Sequence, residues 1–198
     1  MASNANKSPN GRRTQAERRA ESRQAVLDSA VRIFGEKGYA GTSLEDIAAD
    51  CGLTIRPIYH YFKNKKGLFA AVNDVMEQRI IDAMRVGEDG VSLAENWRAH
   101  LALCDDPAFR RIVLLDSPNV LGRERWAGSP VSEKARASLD GLAGHGEAGT
   151  FRSELQRRVL MAALAEAALT VAEAENIDAA RREAEELMAR LFDGYADK

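Results

Sequence analysis

Residues 42–69, TSLEDIAADCGLTIRPIYHYFKNKKGLF, contain two short helical patterns separated by a turn that includes a glycine. Either Thr42 or Ser43 can cap the first helix, because a hydroxyl side chain accepts hydrogen bonds from the free backbone N–H groups of a helix start. Gly52 favours a tight turn, since glycine adopts positive φ without steric cost. Thr54 can then cap a second helix of about seven residues. Two short helices joined in this way form a helix-turn-helix.

The second helix of this motif carries a proline and an arginine near its start. Pro57 lies near the third helical position, where its missing N–H is one of the donors that a helix start leaves unpaired. The proline is therefore compatible with a helix that begins here. The side chains predicted to face outward at this end are Thr54, Ile55, Arg56, Pro57 and His60. This end is the one that meets base edges when such a helix enters the major groove.

Three interpretations of this segment compete: a corner of the core, a catalytic pocket, and a surface that binds something charged. Arg56 can donate two hydrogen bonds to guanine, and Pro57 or Ile55 can contact a thymine methyl group. Asn64 can cap a following helix, whose positive N-terminal end also favours phosphate. Contacts to phosphate oxygens position a protein on DNA without reading its sequence. The side chains that suit such contacts are Tyr59, Tyr61 and Lys65. These patterns favour the third interpretation.

The order of residues in this segment resembles the DNA-binding signature of the TetR family of bacterial transcriptional regulators, over residues 20–70 or so. The residues that carry the resemblance are Thr42, Ile47, Ala48, Gly52, Ile58, Tyr59, Tyr61, Phe62 and Lys65. The resemblance implies base contacts by the outward residues at the start of the second helix. It implies phosphate contacts by Thr42, Ser43, Tyr59, Tyr61 and Lys65.

Three positions depart from the common pattern of the family. Cys51 stands where alanine is usual, Arg56 where glycine is frequent, and Gly67 where an acidic residue often occurs. We expect Cys51 and Gly67 to leave the fold unchanged. Arg56 is expected to alter which operator is read, so the operator of another family member does not transfer to this chain.

Charge is distributed unevenly along the 198 residues, although the net charge is only −2. Residues 1–66 contain 12 basic and 7 acidic side chains, whereas residues 67–198 contain 16 and 23. A basic first third indicates a polyanion-binding face there, although basic side chains can also simply solvate a helix. Residues 1–13 are predicted to be a flexible basic arm that either contacts DNA beside the recognition helix or forms a solvated tail.

Location and redox chemistry are also constrained by the sequence. There is no uninterrupted apolar run of about 18 residues, so no membrane span is expected. The polar, basic N-terminus lacks the apolar stretch of a secretory signal, and we expect a cytoplasmic protein. Cys51 and Cys104 are too few for a disulfide scaffold and lack the spacing of a zinc site. No cofactor and no metal are expected.

Helical patterns continue through the rest of the chain, so the predicted fold class is all-α. An N-terminal three-helix DNA-binding domain with the helix-turn-helix is predicted over residues 14–66. The resemblance implies that residues 67–198 form a larger C-terminal helical domain for ligand binding and dimerisation. Gly38 is expected to end the first helix. A sixth helix is predicted to begin at Pro107 and to end at Pro118, where residues 118–126 begin a seventh.

Two long helices close the predicted fold, an alanine-rich one over residues 153–173 and one with an apolar stripe over residues 178–195. Small residues beside such a stripe suit close helix packing, which serves an intramolecular core as well as an interface. The resemblance implies that the last two helices of each subunit form a dimer interface, with the candidates Ala163, Ala167, Ala184, Leu187, Met188, Leu191, Phe192 and Tyr195. A homodimer is also physically reasonable, because one short helix reads too few bases and a two-fold dimer reads a near-palindrome.

A small-molecule pocket in the C-terminal domain is a further implication of the resemblance. Its occupant would lower DNA affinity by favouring the conformation that does not bind DNA. The candidates for the pocket wall, each also compatible with an ordinary core position, are Trp97, Leu101, Cys104, Leu115, Asp116, Trp126 and Met161. Asp116 can pair with a cationic ligand or with Arg123. Two tryptophans and few acidic groups indicate an apolar or aromatic effector, whose identity stays unknown.

Two other classes of function are the alternatives. An enzyme would need a catalytic constellation, but the sequence has no paired-histidine metal motif, no phosphate-binding glycine loop and no nucleophile elbow. His145 lies in a glycine-rich turn and His100 on the polar side of its helix, which predicts surface positions for both. A DNA-anchored helical dimer regulated by a protein partner stays open. The main prediction is a DNA-binding regulator, by family default a repressor, that binds an operator as a homodimer and is released by a small molecule.

Overall fold

A computed structural model describes residues 14–85, 92–122, 124–125, 128–140 and 151–196, without the side chains of residues 138–140, 151–153 and 194–196. Every regular element in these ranges is helical, which confirms the predicted all-α class. The helices are α1 (Gln15–Lys37), α2 (Leu44–Asp50), α3 (Ile55–Phe62), α4 (Lys65–Ala83), α5 (Leu93–Ala102), α6 (107–120), α7 (Pro130–Asp140), α8 (Phe151–Glu173) and α9 (Ile177–Ala196). None of those in the described ranges has the length and apolarity that a membrane span requires. The predicted basic arm, residues 1–13, lies outside the described residues.

The helices of the N-terminal domain start at polar caps. Thr14 and Glu17 form a reciprocal capping box at the start of α1, with the Glu17 N–H donating to Thr14 Oγ1 at 3.2 Å. At the start of α2 the cap is Ser43, whose Oγ accepts from the Asp46 N–H at 3.0 Å. Thr54 occupies the cap position of α3 but makes no side-chain cap hydrogen bond. Its hydroxyl therefore stays available on the surface.

Aromatic rings join the N-terminal domain to α4. Phe34 of α1 packs edge-on against Phe69 of α4 with ring centroids 5.1 Å apart, and the Tyr39 ring lies 5.0 Å from the Phe69 ring. Edge-to-face pairs at such distances are favourable beyond the apolar area that they bury. Because α4 starts inside the core of the N-terminal domain, the predicted boundary between residues 66 and 67 falls in the first turn of α4 and stays a prediction.

The turn between α3 and α4 has an unusual backbone conformation. Lys63 has φ 69° and ψ −46°, and the Asn64 N–H donates to the Phe62 carbonyl at 2.8 Å, which together form a strained γ-turn. A Cβ at Gly67 would lie 2.1 Å from the same carbonyl oxygen. The expectation that Gly67 has no consequence for the fold is therefore wrong for this geometry, since only glycine fits against the Phe62 carbonyl as the turn stands.

A new α-helical segment starts at Ser117–Pro118, where the seventh helix was predicted to begin, but the chain stays helical throughout residues 107–120 and α6 does not stop there. It comprises an α-helical start (Pro107–Phe109), a π-helical segment (Arg110–Asp116) and an α-helical end (Ser117–Val120). The Ser117 N–H bonds to the Ile112 carbonyl, five residues earlier. Pro118 then occupies the first turn of a new α-helical segment, where its missing N–H has no consequence. The Asn119 side chain donates to the Leu115 carbonyl at 3.0 Å, which satisfies an acceptor beside the proline.

A close contact between two small residues brings α1 against α6. A Cβ at Gly35 would lie only 2.5 Å from the Ala108 Cβ, so the two helices approach as closely as glycine allows. Just beyond α1, the Tyr39 N–H donates to Asp116 Oδ2 at 2.7 Å, and Arg111 Nε lies 3.9 Å from the same oxygen. We call these contacts the α1–α6 joint; its residues are Gly35, Gly38, Tyr39, Ala108, Arg111 and Asp116. The joint connects the N-terminal domain directly to the C-terminal domain.

A buried polar pair lies on α4. The Asn73 Nδ2 group donates to Glu77 Oε1 at 2.7 Å, and both side chains are buried. The Asn73 Oδ1 atom has no hydrogen-bond partner among the described residues. Burial raises the pKa of the Glu77 carboxyl above its ordinary value, although the Asn73 hydrogen bond and the nearby Arg125 charge oppose this effect.

We expect Glu77→Gln to raise the free energy of unfolding at pH 7.5 by about 1–2 kcal/mol, because the amide is uncharged and can donate to Asn73 Oδ1. A carboxyl whose folded pKa is raised stabilises the fold fully below its unfolded pKa and loses this contribution as pH rises through the folded pKa. The advantage of the variant should therefore shrink towards pH 4.5. Urea unfolding of the wild type and the variant at both pH values measures this difference in the free energy of unfolding.

An exposed carboxylate provides the control for this experiment. Glu36 is exposed on α1, so Glu36→Gln should change stability little at either pH. Equal stability of wild type and Glu77→Gln at pH 7.5 would contradict the assignment of Glu77 as a costly buried charge.

Candidate nucleic-acid interface and ligand cavity

The start of α3 forms a polar surface next to the helix-turn-helix turn. We call it the α3 surface; its residues are Thr54, Ile55, Arg56, Pro57, Tyr59 and His60. Arg56, Tyr59 and His60 are exposed, whereas Ile58 and Phe62 on the opposite side of the helix are buried. Helical periodicity thus separates a core side from a free side within eight residues. The structure brings the six predicted residues together at one end of one helix.

The other predicted phosphate contacts lie around this surface in different environments. Lys65 is half-buried, with its Nζ atom 4.3 Å from the centre of the Tyr39 ring. Tyr61 is half-buried, and its ring lies 5.5 Å from the His60 ring. Ser43 is half-buried at the start of α2. Thr42 is buried, and its hydroxyl donates to the Gly38 carbonyl at 2.8 Å. The Thr42 side chain therefore holds the end of α1, and the Thr42 backbone N–H donates to the Tyr39 carbonyl at 3.4 Å.

Charge around the α3 surface is positive. Residues 51–66 contain no acidic side chain, and their basic side chains are Arg56, Lys63, Lys65 and Lys66. The carboxylate of Asp50, at the end of α2, is engaged by Ser29 and Arg32, and these hydrogen bonds hold its pKa below the ordinary value. Hydrogen bonds from Ser43 likewise lower the pKa of Asp46. The carboxylates of Asp46 and Asp50 are thus engaged within the protein, and the basic groups can attract an external polyanion.

An apolar cavity of about 320 Å³ lies in the C-terminal domain, between helices α4 to α8. This volume is at the lower end of the range of about 300–1,000 Å³ for small-molecule sites. Of the predicted wall residues, Trp97 and Met161 line it. Leu101 and Cys104 are fully buried outside its wall, and Leu115 is half-buried and does not line it. Trp126 lies outside the described residues.

Asp116 lies at the α1–α6 joint and not in the cavity. Its carboxylate accepts from the Tyr39 N–H and lies near Arg111, so it connects domains where the sequence predicted a ligand contact. Cys104 is fully buried in the core. Burial raises the pKa of its thiol to about 11 and keeps it protonated. Neither residue contributes polar chemistry to the cavity.

The cavity wall contains residues that sequence reasoning missed. His100 lines it, although the polar pattern of α5 predicted a surface position. Burial lowers the pKa of His100 to about 4, so the imidazole is neutral at physiological pH. The signal that could have indicated this position is the spacing of three residues from Trp97, which places both rings on one helix face. The predicted surface residue His145 lies outside the described residues.

The candidates for the dimer interface divide into two groups. Ala184, Met188 and Phe192 are buried within the protomer, so a second chain has little of them left to cover. Leu187 is exposed, and Ala163, Ala167 and Leu191 keep part of their surface. Only the backbone of Tyr195 is described. Two apolar side chains that the sequence analysis did not single out, Leu155 and Val159, are also exposed on α8.

Comparison with known proteins adds evidence of descent. The family model described as "Bacterial regulatory proteins, tetR family" matches residues 26–72, and "Tetracyclin repressor-like, C-terminal domain" matches residues 91–195. The HTH-type transcriptional regulator AcrR of Shigella flexneri is 42% identical over 60 residues, which is 30% of this chain and 28% of that protein. The HTH-type transcriptional repressor ComR of Escherichia coli K12 is 36% identical over 83 residues, 42% of this chain and 38% of that protein. The chain thus matches less than two fifths of the length of either relative.

A solved structure is similar over both domains. The TetR-family transcriptional regulator of Pectobacterium atrosepticum is 32% identical, with a TM-score of 0.69, covering 94% of this chain and 99% of that one. Because the second family match alone spans more than half of the chain and this similarity spans nearly all of it, the chain belongs to the TetR family of bacterial transcriptional regulators.

Proposed function

We propose that this chain is a transcriptional repressor that binds a near-palindromic operator as a homodimer and is released when a small molecule occupies the C-terminal cavity. The observation that carries the proposal is the α3 surface, with exposed Arg56, Tyr59 and His60 on a segment without acidic side chains. A helix of this kind reads base edges with its N-terminal residues, while flanking lysines contact phosphates. The chain would act on DNA in the cytoplasm.

Exposed apolar side chains on the last two helices support a dimer. Leu155 and Val159 are each 49% exposed on α8, and Leu187 is 54% exposed on α9. Side chains four residues apart share one helix face. We call the proposed contact the dimer face; its residues are Leu155, Val159, Ala163, Ala167, Leu187 and Leu191. Exposed apolar patches on soluble proteins mark interaction sites, and a second copy would cover this one.

The position of α6 supports release by a ligand. Val113 and Leu114 of the π-helical segment line the cavity, whereas Asp116, two residues later, holds the Tyr39 N–H at the α1–α6 joint. An occupant that displaces α6 would therefore move the N-terminal domain. If it binds better to the displaced conformation, it lowers operator affinity by shifting the population towards that conformation.

Selection of bound sequences from a random DNA pool tests the proposal. The purified protein at about 0.15 M salt, where charges beyond about 8 Å are largely screened, should enrich a near-palindrome. Its half-sites should be spaced by whole turns of the double helix. Affinity for the selected site should fall steeply with salt, because bound lysines and arginines release counterions. Absence of any enriched sequence would overturn the proposal.

Arg56→Ala is expected to weaken binding to the selected operator by about 1–3 kcal/mol and to relax specificity at one base pair. Tyr59→Phe and Lys65→Ala should instead weaken binding to all sequences about equally, since phosphate contacts carry no sequence information. Fluorescence anisotropy on the operator and its point variants measures both effects.

Arg182→Ala is the matched control, because it removes the same charge from an exposed position on α9, on the side away from Leu187 and Leu191. It should leave affinity and base preference unchanged. If Arg56→Ala behaves like this control, α3 does not read the operator as placed here.

A further inference from the structure

The polar groups of the cavity are few and are mostly uncharged. Trp97 and His100 lie on one face of α5, with their rings stacked at a centroid distance of 5.6 Å. The described residues that line the cavity include no lysine and no arginine. Their one ionised side chain is Glu166, which is exposed on α8 and therefore lies at the open side. The inner wall is thus apolar apart from an indole, an imidazole and two small polar side chains.

His100 is the polar group that an occupant can reach. The imidazole keeps part of its surface on the cavity and makes no hydrogen bond to any described residue. Because burial lowers the pKa of His100 to about 4, the ring is neutral near pH 7. A neutral imidazole offers one N–H donor and one nitrogen acceptor. Either nitrogen can therefore bond to a hydroxyl, and the N–H can donate to a carbonyl.

Trp97 provides a second, independent indication of a missing partner. The side chain is 6% exposed, and its indole N–H has no hydrogen-bond partner among the described residues. An unsatisfied buried donor destabilises a protein, and an acceptor that reaches it removes this penalty. The unpaired indole N–H and the accessible imidazole thus lie on neighbouring rings of α5, at the wall of one cavity.

We propose that the cavity binds an uncharged, mainly apolar molecule whose oxygen, in a carbonyl or hydroxyl group, hydrogen-bonds to His100 while its apolar body lies against Trp97. This assignment rests on the proposed function and names the chemical class of the effector. An anion would lose its hydration without meeting a positive side chain of the described wall, which is unfavourable. A cation would find its one opposite charge, Glu166, at the solvent side and not beside the aromatic pair.

Calorimetric titration of the full chain without DNA tests the assignment with four probes of one shape. These are para-tert-butylacetophenone, the hydrocarbon 1-tert-butyl-4-isopropenylbenzene, para-tert-butylbenzoate and para-tert-butylbenzamidinium. The ketone is expected to bind about threefold to tenfold more tightly than the hydrocarbon, as one neutral hydrogen bond allows. It should bind at least about tenfold more tightly than either ion, because neither ion finds a partner on the inner wall.

Substitutions at His100 separate its hydrogen bond from its bulk. His100→Leu should reduce ketone affinity about threefold to tenfold, to that of the hydrocarbon, and should leave hydrocarbon affinity unchanged. His100→Asn keeps a donor and an acceptor and should restore part of the difference. Arg98→Gln, on the same helix but outside the cavity wall, is the control and should bind all probes as the wild type does. Melting temperatures show whether each variant is folded.

Four results would overturn the assignment: binding of no probe, benzoate binding as tightly as the ketone, ketone affinity unaffected by His100→Leu, or tightest binding of the cation with its loss in Glu166→Gln. The proposed function is tested separately. A ketone that binds as expected but does not weaken operator binding contradicts release by a ligand and leaves the cavity assignment intact. An enriched operator without any probe binding leaves the DNA-binding function intact and contradicts the assignment.

Discussion

Gly38→Ala is expected to lower the free energy of unfolding by about 2–4 kcal/mol. Gly38 ends α1 with φ 71° and ψ 173°, a region that is essentially restricted to glycine. An added Cβ would also lie 2.7 Å from Arg111 Nε, within the α1–α6 joint. The variant thus combines backbone strain with a steric overlap. Thermal unfolding should show a decrease in Tm of roughly 5–15 °C for a chain of this length.

Two further variants separate these causes. Gly52 also has positive φ, 67°, but a Cβ there would meet nothing within 4 Å, so Gly52→Ala should cost only about 1 kcal/mol. In the Arg111→Ala background, Gly38→Ala should cost less than in the wild type, because the overlap is removed and the strain is kept. Equal costs for Gly38→Ala and Gly52→Ala would contradict the proposed role of the joint.

Val159→Arg is expected to convert the dimer into monomers and to weaken operator binding by at least about a hundredfold. Val159 belongs to the exposed α8 stripe, so a contact through this stripe would bury an added arginine on each subunit without a partner. Loss of the second subunit removes the gain from binding two half-sites at once, which amounts to about 10²–10⁴. Analytical ultracentrifugation measures the first effect and anisotropy titration the second.

Val75→Arg is the matched control for this experiment. Val75 is 41% exposed on α4 and lies outside the proposed dimer face, so the same substitution should leave a dimer of normal operator affinity. A Val159→Arg protein that remains dimeric would show that the last two helices meet a second copy elsewhere, or that α8 does not take part.

The helix ends of the N-terminal domain were largely predictable because their signals are local. Gly38 ends α1, Pro57 lies at the third position of α3, and Asn64 caps α4 by accepting from the Gly67 N–H at 2.8 Å. Each depends on residues within a few positions along the chain. The α3 surface followed from the same local periodicity.

Contacts between distant segments were not predictable in this way. The Tyr39–Asp116 hydrogen bond joins residues 77 positions apart, and nothing near Asp116 distinguishes a joint residue from a cavity residue. His100 is different, because it lies three residues from Trp97 at the border of the buried side of α5, while Glu95 and Arg98 on the polar side stay exposed. The apolar stripe of α9 does not say which neighbour buries it, and Met188 proved to be fully buried within its own chain.

The π-helical segment of α6 also bears on how such a regulator can diversify. An α-helix turns by about 100° per residue, so loss of one residue from this segment would rotate the following turn by that angle. Ser117 and Pro118, which line the cavity, would be re-aimed, while Ala108 at the preceding α-helical start could keep its packing on Gly35. A single-residue insertion or deletion here would therefore reshape the cavity wall and displace Asp116 from the Tyr39 N–H, while the residues of the α3 surface stay the same.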